Sequence, residues 1–145
     1  MSAPAVTLVR RIRAAPAKLY AAWTEPALIA RWWAPSSVKV VDVEATHAVG
    51  GIWRVTLLGA DGADYRVEGT YLALEPPTRL AFTWSLVPGT EPPSNVTVEL
   101  RAVGDETELT LTHEADERTG PSRADGWTRS LYRLAREFGA PEPVG

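Results

Sequence analysis

Near the end of the chain, Trp127, Leu131, Leu134 and Phe138 recur at the spacing of one helical face, while Arg129, Arg133 and Arg136 fall on the other side. Residues three and four apart stack on the same side of an α-helix, so this stretch predicts an amphipathic helix of about three turns that must bury its stripe. Gly139 ends it, and Pro141 and Pro143 mark a fraying tail over 139–145. Almost everything before it has a period of two. Val6–Arg13, Val38–Thr46, Ile52–Leu58, Tyr65–Leu74, Leu80–Ser85, Val96–Leu100 and Leu109–His113 alternate apolar and polar residues, the signature of half-buried strands. Gly50-Gly51, Asp61-Gly62, Glu75-Pro76-Pro77 and Gly104-Asp105 punctuate them, and Val87–Pro93, with its prolines, reads as a surface loop. Between the first strand and the rest, Pro16 opens a short helix with Leu19 and Trp23 on one face. Pro26 opens another that runs to Trp32-Trp33 and stops at Ala34-Pro35.

Successive strands joined by tight turns favour an antiparallel sheet, and such a sheet has one apolar face to cover. The C-terminal helix is the one amphipathic element long enough to cover it. The expectation is a two-layer α+β domain: a curved antiparallel sheet of six or seven strands, two short helices and a long last helix. Its 145 residues make one domain, 1–145, with an ordered core of about 6–138, and a chain of that length can bury a full core without metal or disulfide staples.

Six tryptophans against two phenylalanines are a heavy use of the largest side chain, and each ring buries about 150–250 Å². Either the core is built of a few large pieces, or some rings line a cavity. By periodicity Trp53, Phe82, Trp84, Trp127 and Leu131 face inward, and His113 is in phase with Leu109 and Leu111. With Tyr71 they make the candidate ligand-binding set: Trp53, Tyr71, Phe82, Trp84, Leu111, His113, Trp127 and Leu131. The facing of Tyr71, Arg54, Arg66 and Glu68 is left open by a bulge expected near Gly69. Each ring has an alternative reading as plain core. His113 has three: a hydrogen-bond partner for a ligand, a general base, or a core histidine satisfied by backbone. A void of roughly 300 Å³ would forfeit on the order of 7 kcal/mol, comparable with the stability of a domain, so a retained cavity points to use.

Other chemistries find little support. The net charge of −3, with acids and bases interspersed, lacks the basic footprint that nucleic acid requires. No cysteine is present, which removes disulfides and thiolate nucleophiles, and the two histidines lack further ligands at metal spacing. No nucleophile–base triad, carboxylate pair, phosphate loop or dinucleotide fingerprint occurs, so no catalytic residue and no cofactor is assigned. Met1–Val9 lacks the order of a secretory signal and the apolar runs are too short to span a membrane, which makes the cytoplasm the expected location.

Several blocks carry a resemblance. Ala22-Trp23-Thr24-Glu25-Pro26 leading to Arg31-Trp32-Trp33-Ala34-Pro35, then Gly50-Gly51-Ile52-Trp53-Arg54, are the first of them. Gly69-Thr70-Tyr71, Glu75-Pro76-Pro77-Thr78-Arg79-Leu80, Phe82-Thr83-Trp84, Glu108–His113 and Gly126-Trp127 follow in order. Together they resemble the heat-shock ATPase activator (AHSA-type) branch of the SRPBCC, or START-like, superfamily, over about Val6–Phe138. The chain departs from it at Thr46-His47-Ala48-Val49, where a charged pair is common, and in the proline-heavy loop after Trp84. The resemblance implies a helix-grip fold with an apolar cavity between sheet and last helix, and a small apolar or amphipathic ligand. It also leaves open a cyclase or hydrolase working in the cavity, with His113 polarising a carbonyl or moving a proton. A third reading is a protein-interaction module, co-chaperone-like or homodimeric. Many bacterial single-domain members of this branch have no assigned activity.

Overall fold

The computed structural model describes residues 5–33, 39–59, 61–87, 89, 92–114 and 119–139. The chain runs β1 (Ala5–Ile12), α1 (Pro16–Thr24), α2 (Pro26–Ile29), β2 (Lys39–Ala45), β3 (Ile52–Leu58) and β4 (Asp64–Glu75). It continues as β5 (Arg79–Val87), β6 (Ser94–Val103), β7 (Glu106–Glu114) and α3 (Gly120–Phe138). The strands form one antiparallel seven-stranded sheet in the order β1-β7-β6-β5-β4-β3-β2. β2 to β7 are a meander. β1 leaves that order and pairs with β7 from Ala5↔Glu114 to Ile12↔Thr107, so α1 and α2 join strands at opposite edges of the sheet. Ala34–Val38, the expected stop of α2 and start of β2, lie outside the described residues, as do parts of the 87–93 loop and the tail.

The sheet is bent as well as twisted. The register slips between Tyr71 and Ala73 on β4 and between Val40 and Asp42 on β2, and such bulges bend a strand and re-aim its side chains. β4 also approaches β5 closely at Gly69, where a Cβ would lie 1.8 Å from Thr83 O. Only glycine fits there. The concave face carries Trp53, Val55, Val67, Tyr71, Leu80, Phe82, Val96, Val98, Leu109, Leu111 and His113, all buried. On the convex face Arg54 pairs with Glu44 and Glu68, at 3.3 and 3.1 Å, and Arg66 pairs with Glu68 at 3.3 Å. The facing that the sequence left open is therefore settled: Tyr71 points in, and Arg54, Arg66 and Glu68 point out.

α3 covers the concave face. Trp127, Leu131, Leu134 and Phe138 are all buried, as the stripe requires. The helix is longer than that stripe. It begins at Gly120, with Pro121 in its first turn where the missing N–H costs nothing, and its first two turns carry no buried residue. α1 adds Leu19, Ala22 and Trp23 to the core, and Trp32, after α2, donates its Nε1–H to Ala22 O at 2.8 Å. This is the α+β helix-grip arrangement. Among the described residues no helix is long and apolar enough to cross a membrane.

Candidate functional site

The first turns of α3 overhang the sheet without packing onto it. Ser122, Arg123, Gly126, Trp127 and Ser130 follow the i, i+3/i+4 spacing of one helix face and form one side of a cavity of about 220 Å³. Val67, Trp84 and Trp33 form the other. Three indoles, a valine and a glycine make its walls, with two serine hydroxyls and one guanidinium near them. Mostly apolar walls with a few polar groups are the composition of a small-molecule site. Arg123 lies over the face of Trp84, 5.6 Å from the ring centroid, and donates to Glu114 O. A larger concavity of about 580 Å³ lies elsewhere, rimmed by the surface ion pairs Arg79–Glu75 and Arg101–Glu108, and it lacks such apolar walls.

Behind Trp84 and Trp127 stands His113, fully buried, its ring centroid 5.1 Å from Trp84 and 6.1 Å from Trp127. Trp127 Nε1–H donates to His113 Nδ1 at 2.9 Å, and His113 Nε2 lies 2.7 Å from Ser94 Oγ. An indole nitrogen can only donate, so Nδ1 is the acceptor and the neutral ring carries its proton on Nε2, which donates to Ser94. Burial, and secondarily the Arg123 charge, hold the imidazole pKa down to about 3. The ring is therefore neutral at ordinary pH with both nitrogens engaged. A Ser–His contact of this length invites a nucleophile–base reading, but the nitrogen facing Ser94 already holds a proton and cannot take another. His113 orients Trp127. It is a satisfied core histidine, as one of its three readings had it, but its partners are side chains and not backbone.

The rest of the predicted set lies behind the pocket. Of the eight residues, Trp84 and Trp127 line it. Trp53 and Phe82 pack against each other, centroids 5.3 Å apart, and Trp53 Nε1–H is held by Thr83 O at 3.1 Å. Leu111 and Leu131 are closed core, and Tyr71 Oη reaches Trp23 O at 3.4 Å. The space under most of α3 is thus filled by rings, and the open volume is displaced toward its N-terminal end.

Sequence reasoning passed over Val67, Ser122, Arg123, Gly126 and Ser130 as pocket residues, and also the hub behind them. Trp23 packs on Trp32, Trp33, Phe82 and Trp127, with centroids 4.7, 6.3, 6.1 and 5.8 Å away. Among the described residues its buried Nε1–H has no hydrogen-bond partner. Trp33 is fixed at its backbone, where Arg133 donates to Trp32 O at 3.0 Å and to Trp33 O at 3.2 Å. Replacing Arg133 by methionine keeps the stem and removes these bonds. The expected cost is about 1–3 kcal/mol in urea unfolding, with a blue-to-red change in tryptophan emission as Trp33 loosens. Among the described residues no cluster of three or more His, Cys, Asp or Glu is placed to hold a metal ion.

Comparison with solved structures finds the same fold elsewhere. A protein from Chromobacterium violaceum, CV1439, is 25% identical, with a TM-score of 0.84 over 94% of this chain and 98% of its own. The AHSA1 (SPO3351) protein from Silicibacter pomeroyi is 26% identical, with a TM-score of 0.81 over 92% of this chain and 96% of its own. DynU16, a protein in the dynemicin biosynthetic locus, is 25% identical, with a TM-score of 0.74 over 91% of this chain and 46% of its own. No curated protein matches the sequence. The family described as "Activator of Hsp90 ATPase homolog 1-like protein" matches residues 13–139, nearly the whole described fold, and the chain belongs to that family.

Proposed function

We propose that the domain binds a small, flat, apolar molecule in the cavity between the first turns of α3 and the rings of Trp33, Trp84 and Trp127. Gly126 carries this reading. A glycine inside a helix costs about 0.8–1 kcal/mol relative to alanine, and nothing in the packing demands one here, because an added Cβ would meet no atom within 4 Å. What the missing side chain does is leave the cavity wall open at the point where α3 crosses it. DynU16, whose locus is biosynthetic, fits a domain of this shape working among small molecules. Base catalysis by His113 is no part of the proposal, since both its nitrogens are engaged and its pKa is depressed.

The test is a titration with a panel of fatty acids, flavonoids and aromatic polyketides, followed by native mass spectrometry and tryptophan quenching. A hit is then repeated with Gly126→Leu. Filling the wall is expected to leave the fold intact, with stability raised by about 0.5–1 kcal/mol, while binding weakens more than tenfold. Unchanged affinity in a folded Gly126→Leu protein would put the ligand somewhere else.

A further inference from the structure

The Nε1–H of Trp23 is an outlier of the interior: the residue is 3% exposed and, among the described residues, the donor has no acceptor. Nearly all buried polar groups in folded proteins are paired, and an orphan is often explained by an absent bound atom. Four rings pack on Trp23, and two of them, Trp33 and Trp127, also line the cavity, so a single layer of rings lies between the cavity and Trp23.

These two rings are held differently. Trp127 is 5% exposed, and its N–H is tied to His113 Nδ1 at 2.9 Å. Trp33 is half-buried, and among the described residues no hydrogen bond holds its indole; Arg133 grips only the backbone carbonyl. Trp33 can therefore change rotamer without breaking a polar contact, and Trp127 cannot.

We infer that Trp33 is the movable wall of the cavity, and that the ligand displaces it and presents a hydrogen-bond acceptor to the Trp23 N–H. The inference rests on the cavity being a ligand site and narrows the ligand to a planar molecule with a neutral carbonyl or ether oxygen at its buried end. A carboxylate is excluded at that end, because the rings around Trp23 offer no counter-charge for a buried anion.

Fluorene and 9-fluorenone share one three-ring plane and differ by a carbonyl oxygen, which makes them the probes. In ¹⁵N-labelled protein the Trp23 indole N–H resonance is expected to move downfield with fluorenone and to stay in place with fluorene. The ketone is expected to bind about tenfold more tightly. In Trp23→Phe that preference disappears. The wild-type resonance is read whether or not the variant folds. Equal binding of both probes with the Trp23 resonance unmoved overturns the inference and leaves the cavity as a ligand site. Binding of neither also overturns it, and the panel titration with Gly126→Leu then decides the ligand site independently.

Discussion

Changing His113 to leucine is expected to lower stability by about 2–4 kcal/mol, and adding Trp127→Phe to that variant is expected to cost much less than Trp127→Phe does in the wild type. Leucine leaves the Trp127 N–H buried without an acceptor and removes the donor to Ser94 Oγ, and a buried donor left unmade costs about 1–3 kcal/mol. The branched chain also fills the imidazole's place with a different shape beside Trp84, which adds a packing penalty. Phenylalanine at 127 alone strands Nδ1 of His113 in the same environment and opens space next to Trp23. In the double variant neither orphan exists. Urea unfolding of the four proteins should give a coupling of about 1–3 kcal/mol, with the double variant more stable than the two single losses add up to. Additivity to within about 0.5 kcal/mol would mean that the His113–Trp127 bond contributes nothing specific to the fold.

That pair also marks where the sequence stopped being readable. The stripe from Trp127 to Phe138 and the alternation of the strands are local, and both came through because burial of one face is a local constraint. The expected two-layer domain followed from them. The place of β1 beside β7 could not, because its partner lies about a hundred residues away and an edge strand reads the same at either edge. The Ser94–His113 contact needed the register: Val96 faces His113 across β6 and β7, so Ser94 is the diagonal neighbour on the same face. The helical side of the cavity went unread for a related reason. Gly120, Pro121 and Gly126 disguised the first two turns of α3, and those turns, having nothing to bury, carried no periodic signal, yet they form the cavity wall. Trp33 packs on Trp32 beside the short helices and also lines the cavity.

Acid should weaken this fold through His113, and the sign follows from which state takes the proton. In the unfolded chain the imidazole titrates near its ordinary value of 6.5, whereas in the fold it stays neutral down to about 3. Above pH 6.5 both states are neutral and the residue contributes no pH dependence. As pH falls below that, the unfolded state binds a proton that the folded state refuses, so stability is lost progressively until the folded value is reached. At about 1.36 kcal/mol per pH unit, the loss is about 2 kcal/mol by pH 5 and about 3–5 kcal/mol near pH 3. Other groups titrate over the same range, so the quantity to measure is the difference between the wild type and the His113→Leu/Trp127→Phe double variant, from urea unfolding at each pH. The two proteins should diverge as pH drops from 6.5, with the wild type losing more. Imidazole NMR shifts give a second reading, and they should show no protonation of the folded ring until near pH 3. Parallel acid losses in the two proteins, or a folded His113 titrating near 6.5, would mean that the ring is not held neutral between Trp127 and Ser94. If it is held so, the cavity wall and part of the fold's acid stability share one proton: acid charges the residue that holds Trp127 in that wall.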